Sequence, residues 1–392
     1  MSYIYRFRNY FLQFSCWHRN FNYFFVNFPT NKVSKEQFSV MAVLAPKSTF
    51  LFPSESCEHE GTWLQWPHEF EYGVTYRESL DKTWVAITKA IYLNEKVHII
   101  AYNITEQNRI SNLLQSVGVS SKSIDFKIHK TNDVWIRDNG PIFVKDSNGN
   151  LLIEDWGFNG WGKKFAYAQC NKIPSLIAID LKIDVLKVDM VLEGGAVELD
   201  GQGVLLTTKS SVLSQKPRST RNPGMNQSEA ELILSKYYGV SKIIWLNGSF
   251  IKEDVTDMHI DGIAKFVDGN KIVTMNKKDL LYLGLCNEDI HILYESSNIF
   301  NAVYTKVYLP LTQKNVVTTS GKSIGIKGCY VNYYVGNGFV LVPNYDDPHD
   351  IIANDIIQRL YPERKVIGID SRNLYKNGGM IHCITQQQPA TS

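Results

Sequence analysis

The run Gly195-Ala-Val-Glu-Leu-Asp-Gly201-Gln-Gly-Val204-Leu-Leu joins two apolar segments through a tight-turn dipeptide. The same unit occurs three more times. Gly140-Pro-Ile-Phe-Val leads through Asn148-Gly149 to Leu151-Leu-Ile, and Gly262-Ile-Ala-Lys-Phe-Val leads through Asp268-Gly269 to Ile272-Val-Thr. Tyr330-Val-Asn-Tyr-Tyr-Val leads through Asn337-Gly338 to Phe339-Val-Leu-Val. Asn-Gly and Asp-Gly favour the positive φ angles of type I′ turns, so each unit is expected to be a β-hairpin. Helical patterns fill the gaps over 76–93, over 228–238 (Ser228 as N-cap, Glu231 closing a capping box) and over 350–360. A repeat of roughly 50 to 70 residues, each a small sheet plus a helix, points to blades around an axis. Short strands at Trp63–Trp66 and around Cys383 would supply a fifth blade by joining the two ends of the chain. That pairing would also remove an exposed sheet edge. The expected fold is a single-domain α/β protein, a five-bladed pseudo-symmetric propeller over 41–392.

Composition fits this reading. The chain has 392 residues, 44% hydrophobic and 20% charged, with 26 Gly and 13 Pro. Disorder throughout, collagen and coiled coil are thereby excluded. No run of about 18 apolar residues is present to span a membrane. A net charge of +2 gives no electrostatic case for a nucleic-acid partner. Residues 1–40 differ: Arg6, Arg8, Arg19, Lys32 and Lys35 face Glu36 alone amid dense aromatics. They read as an unstructured N-terminal extension with Met41 as the working start, the alternative being an organellar leader. Cys16, Cys57, Cys170, Cys286, Cys329 and Cys383 contain no C-x-x-C pair, so neither a disulfide framework nor a zinc site is expected. That suits a reducing, cytosolic setting in which one cysteine can be a nucleophile.

Chemistry gathers just before the hairpins. Asp138 precedes the first, Glu193 the second, and His259 and Asp261 the third. One Asp beside a Gly is an ordinary turn. Three acids in register across blades sharing an axis would instead converge on one cavity. Carboxylates crowded there repel one another unless a cation joins them. A guanidinium satisfies two carboxylates through paired N–H···O contacts, and Trp135 is placed to stack on it. At the other end, Asn377-Gly-Gly-Met-Ile-His382-Cys383 sets a glycine pair before a cysteine, which suits a mobile loop delivering a nucleophile. Neighbours in an extended segment point to opposite faces, so His259 is the better proton shuttle and His382 packs or orients.

These residues resemble the agmatine deiminase family of the guanidine-modifying, amidinotransferase-like superfamily, which also contains the bacterial peptidylarginine deiminases. The resemblance runs from about Phe52 to Pro389. It rests on Thr62-Trp-Leu-Gln-Trp-Pro-His68, Asn132-Asp-Val-Trp-Ile-Arg-Asp-Asn-Gly-Pro141, Leu192-Glu-Gly-Gly-Ala-Val-Glu-Leu-Asp-Gly-Gln-Gly203, Arg221-Asn-Pro223, His259-Ile-Asp-Gly262 and Ile381-His-Cys-Ile-Thr-Gln-Gln387. It implies the five-bladed propeller, Cys383 as nucleophile, His259 as acid and base, Asp138 and Asp261 as the guanidinium clamp, and Glu193 holding substrate and supporting the histidine. It further implies deimination of agmatine to N-carbamoylputrescine and ammonia for polyamine synthesis, through a covalent thiouronium, with no metal and no cofactor. The implied partner is a small guanidine, in a chain compatible with a homo-oligomer. Two positions depart from the family's pattern: Met258 stands where Gly is common, and Met380 precedes Ile-His-Cys. Both are placed to alter pocket width. A substrate carboxylate would call for an arginine fork, yet the expected rim loop Gly157-Phe-Asn-Gly-Trp-Gly162 has none, although Lys163 and Lys164 follow it. Three other readings stay open. One is a metal-dependent hydrolase using His259, Asp261 and Glu193, and another is a non-catalytic binding propeller. The third keeps the chemistry with peptidyl arginine or another alkylguanidine as substrate.

Overall fold

A computed structural model describes residues 50–391 apart from 214–219, 252–253 and 269. The extension over 1–40, Met41 and Cys16 lie outside the described residues. Five sheets share one plan, an antiparallel pair extended by a parallel strand. In chain order the pairs are Ile142–Asp146 with Leu151–Gly157, Val197–Leu199 with Val204–Thr208, Lys265–Val267 with Lys271–Thr274, and Tyr334–Gly336 with Phe339–Asn344. All four expected hairpins therefore form. The fifth pair joins the chain ends, Gln386–Pro389 running antiparallel to His59–Gln65 with Trp63 opposite Gln386. A further hairpin, Leu311–Val317 with Ser323–Cys329, forms a separate two-stranded sheet.

Each parallel strand is reached through a helical crossover, as parallel pairing demands. Val74–Ile91 leads to Lys96–Ala101, Gln227–Tyr238 to Lys242–Leu246, and His349–Leu360 to Lys365–Asp370. Val74–Ile91 buries Leu80, Trp84, Ile87 and Ile91, the spacing that puts one apolar stripe on the sheet. Strands covered on both faces carry continuous apolar runs; all five residues of Val204–Thr208 are buried.

Three local expectations are corrected. Helix Gln227–Tyr238 starts earlier than expected: Asn226, not Ser228, is its N-cap, and Glu229 closes the capping box. Glu231 instead accepts from Trp245 Nε1 at 2.8 Å, a contact between the helix and the strand it leads to. Three of the turns are not type I′, because Asn148, Asp200 and Asn337 do not share the positive φ of the glycines that follow them, 85° at Gly149, 68° at Gly201 and 74° at Gly338. At the first, the Gly149 N–H donates to Asp146 O while Asp146 Oδ1 accepts from Asn148 and Asn150, so the aspartate holds a wider loop. Cys383 lies not in a strand but in the 3-10 turn His382–Ile384, one step before the closing strand. Among the described residues no helix is long and apolar enough to cross a membrane, and Cys170, Cys286, Cys329 and Cys383 are free thiols.

Candidate active site

A short helical turn precedes each of four inner strands: Ile136–Asn139, Gly194–Ala196, Ile260–Gly262 and His382–Ile384. These turns pack on one another, which brings Asp138, Glu193, His259, Asp261 and Cys383 together, all buried. The position equivalent to them before the remaining hairpin is Asn332. Its Oδ1 accepts from the Cys383 thiol at 3.4 Å and from the His382 N–H at 3.0 Å.

Gly195 locates the shared space. A methyl at its Cα would lie 2.7 Å from His259 Nδ1, 2.8 Å from Asp138 Oδ1 and 3.0 Å from Asp261 Oδ2. Three functional atoms thus aim at one volume that stays open because residue 195 has no side chain. Asp261 Oδ2 is also 3.8 Å from Cys383 Sγ. The spatial convergence expected of these residues is present.

Each group is held from behind. Asp138 Oδ2 accepts the Trp161 indole N–H at 2.9 Å, and Oδ1 accepts the Gly195 N–H at 3.2 Å. Glu193 accepts from Arg221 Nε through both oxygens, at 2.9 and 2.8 Å. Arg221 in turn donates to Asp257 Oδ2 at 2.6 Å and to Thr256 O at 2.8 Å. His259 is held more loosely: Nε2 lies 3.4 Å from Glu193 Oε2, and Nδ1, which forms no hydrogen bond, lies 3.5 Å from Asp138 Oδ1.

The electrostatics follow from burying several anions with few cations. Burial raises Asp138 to about 6, aided by Asp261 and Glu193 and opposed by His259. Burial would depress His259, yet Asp138, Glu193 and Asp261 outweigh it and raise the imidazole to about 9. Burial would also raise Glu193, but Arg221 and His259 keep it below the ordinary carboxylate range. Burial, Asp261 and Asp138 together push the Cys383 thiol well above its usual value. Near neutral pH these shifts favour a protonated imidazole and a protonated thiol, and a cation beside the sulfur would favour the thiolate.

Trp135 packs its ring against the C-terminal loop, where a methyl on Gly379 would come within 2.3 Å of it. Gly379, Met380 and Ile381 are buried, and Gly379 serves close approach to Trp135, while Gly378 is exposed and takes φ 92°. Met258 and Met380 are buried in the same apolar cluster. Met258 takes φ 68° and Asp257 φ 58°, the left-handed region that favours glycine. His382 and Cys383 do not split to opposite faces, because a 3-10 turn rather than a strand carries them; both meet Asp261 Oδ2. Lys164, expected at the rim, is paired with Asp257 Oδ2 at 2.7 Å. Among the described residues no three His, Cys, Asp or Glu side chains are grouped to hold a metal ion.

The sequence reading missed four residues that hold this site. Asn332 was available from hairpin equivalence, and Arg221 and Trp161 stood in quoted segments without a role. Glu55 had no signal.

A sequence profile of the Porphyromonas-type peptidyl-arginine deiminase family matches residues 51–389. The agmatine deiminase of Pseudomonas aeruginosa (strain LESB58) is 32% identical over 369 residues, covering 87% of this chain and 96% of its own. Among solved structures, the agmatine deiminase of Enterococcus faecalis aligns with a TM-score of 0.76 at 27% identity, over 88% of this chain and 97% of that one. A Cys-to-Ser variant of the C. jejuni agmatine deiminase with substrate bound gives 0.74 at 28% identity, over 87% and 97%. The resemblance drawn from six ordered motifs is borne out along its whole length: the chain belongs to the Porphyromonas-type peptidyl-arginine deiminase family.

Proposed function

We propose that this protein is an agmatine deiminase, hydrolysing a C–N bond of agmatine to give N-carbamoylputrescine and ammonia. The observation that carries the chemistry is the convergence of His259 Nδ1, Asp138 Oδ1 and Asp261 Oδ2 on the open volume at Gly195, with Cys383 Sγ 3.8 Å from Asp261. A planar cation is the ligand that such a set of carboxylates suits. Asp138 and Asp261 receive its N–H groups, and its charge stabilises the Cys383 thiolate that burial otherwise disfavours. Sulfur attacks the central carbon. The His259 imidazolium gives its proton to the departing nitrogen, the C–N bond breaks, and a thiouronium remains on Cys383. Neutral His259 then takes a proton from water as the hydroxyl adds. Collapse of that adduct, with loss of its hydroxyl proton, expels the thiolate and leaves the ureido product. Glu193, fixed by Arg221, steadies the imidazole, and Trp135 packs beside Gly379.

The common plan of the five sheets, with one sheet made by the two chain ends, supports an arrangement as five blades around the site. The proposed domain division is an extension over 1–40 and a deiminase domain over 41–392. The substrate preference is supported by the relatives' agmatine deiminase names and by Arg221, which is engaged with Glu193 and Asp257 rather than standing at the rim for a substrate carboxylate. The test is ammonia release from agmatine, free arginine and arginyl peptides side by side, with Cys383→Ala as control. Agmatine is expected to be turned over and the control to be inactive. Preference for arginyl peptides would overturn the substrate, and an active Cys383→Ala would overturn the mechanism.

A further inference from the structure

Behind the site lies a second set of buried charges. His382 Nδ1 is 2.8 Å from Asp261 Oδ2, and His382 Nε2 is 2.8 Å from Glu55 Oε2. His382 thus bridges the two carboxylates through both of its ring nitrogens. Glu55 is fixed in its turn. Its Oε2 accepts from Lys265 Nζ at 2.9 Å and its Oε1 from the Val335 N–H at 2.9 Å, with Arg137 Nη2 at 3.9 Å. Arg137 Nε also donates to the His382 carbonyl at 3.3 Å. Burial would raise both acids, yet Lys265 and His382 hold Glu55 low, and His382 with His259 holds Asp261 low.

The oxygen of Asp261 that meets His382 is the one 3.8 Å from Cys383 Sγ. The same Oδ2 is the Asp261 oxygen that borders the open volume at Gly195. We infer that Glu55 and His382 are positioning residues of the reaction: the chain Glu55–His382–Asp261, with the imidazole donating to both acids, fixes the Asp261 carboxylate and tempers the charge on Oδ2, the oxygen that faces both the Cys383 sulfur and the open volume at Gly195. An ion network serving stability alone has no need to end on the one oxygen that meets both the sulfur and the Gly195 volume. The inference rests on the roles of Cys383 and Asp261 proposed above.

The test uses Glu55→Gln and His382→Gln in the full chain, with ammonia release from agmatine and alkylation of Cys383 by iodoacetamide as readouts. Both variants are expected to lose about 10- to 100-fold in kcat/KM, the usual effect of removing an outer partner that orients a reacting group. In His382→Gln the alkylation rate should also fall, because an uncompensated Asp261 anion then opposes the thiolate, whereas Glu55→Asp should recover part of the lost turnover. Folded variants with kcat/KM and alkylation within about twofold of wild type would overturn the inference; retained kcat/KM is incompatible with the known size of such effects. If neither variant folds, neutron diffraction from the unaltered enzyme at neutral pH decides: deuterium on both ring nitrogens of His382 supports the chain, and on one alone overturns it. Cys383→Ala is run alongside. Its full activity would overturn the nucleophile and this inference together, while its inactivity beside wild-type behaviour of the two variants overturns this inference alone.

Discussion

Replacing Gly195 with alanine adds one methyl group at the point where the reacting groups meet. The backbone there lies outside the positive-φ region, so alanine fits the chain conformation itself. The methyl would sit 2.7 Å from His259 Nδ1, 2.8 Å from Asp138 Oδ1 and 3.0 Å from Asp261 Oδ2, where ordinary contact is 3.4–4 Å. At least one group must retreat by roughly half an ångström or more. Asp138 is anchored by Trp161 and Asp261 by His382, each through a hydrogen bond shorter than 3 Å. His259 has only contacts of 3.4 and 3.5 Å to its neighbours, so the imidazole is the group that yields. Misplacing a reacting group by about 1 Å costs on the order of 100-fold, and the methyl also occupies substrate volume. The expected kcat/KM is therefore lower by about 100-fold or more. Stability should change little, since the roughly 0.4–1 kcal/mol gained by restricting the unfolded chain offsets part of the crowding. The assay is steady-state ammonia release from agmatine, with urea unfolding to show an intact fold. A variant retaining kcat/KM within about threefold of wild type would refute the argument that this volume is where the reaction occurs.

Further expectations concern the groups behind the site. Arg221→Ala leaves Glu193 buried without its cation and should cost about 3–5 kcal/mol in urea unfolding; a loss under about 1 kcal/mol would show that the pair is not what holds this region. Trp161→Phe keeps the ring but removes the hydrogen bond to Asp138 Oδ2, and should lower kcat/KM by about tenfold with agmatine, a charged hydrogen bond being worth about 1.5–3 kcal/mol. Because His259 titrates at about 9 in the folded protein and near its ordinary 6.5 unfolded, its contribution to stability is full below about pH 6.5 and is lost as pH rises through 9. The urea midpoint should therefore fall between pH 7 and 9 more steeply in wild type than in His259→Gln, and parallel curves would contradict the raised value.

What could be read from the sequence and what could not divide by distance along the chain. The hairpins were legible because Asn148-Gly149 and Asn337-Gly338 encode a turn between adjacent residues, and the acids before them inherit that register. Arg221 could not be given its role this way, since its partners Glu193 and Asp257 come from other parts of the chain. Glu55 and His382 are separated by 327 positions, and only folding makes them neighbours. Asn332 escaped for a chemical reason: it carries no charge, and the reading looked for acids. The misjudged helix start came from two overlapping capping patterns, Asn226 with Glu229 and Ser228 with Glu231. Glu231 bonds the Trp245 indole of the following strand, so the earlier pair supplies the cap.

The pairing of Gln386–Pro389 with His59–Gln65 also has a consequence for biosynthesis. A nascent chain halted short of Pro389 would already contain every acid of the pocket and its imidazole. It would lack the seam that sets the sulfur, so no half-made protein could attack a cellular guanidine before the two extremities zip together. Catalytic competence then arrives as the closing event of folding, late in both sequence and time, because loops this long close slowly.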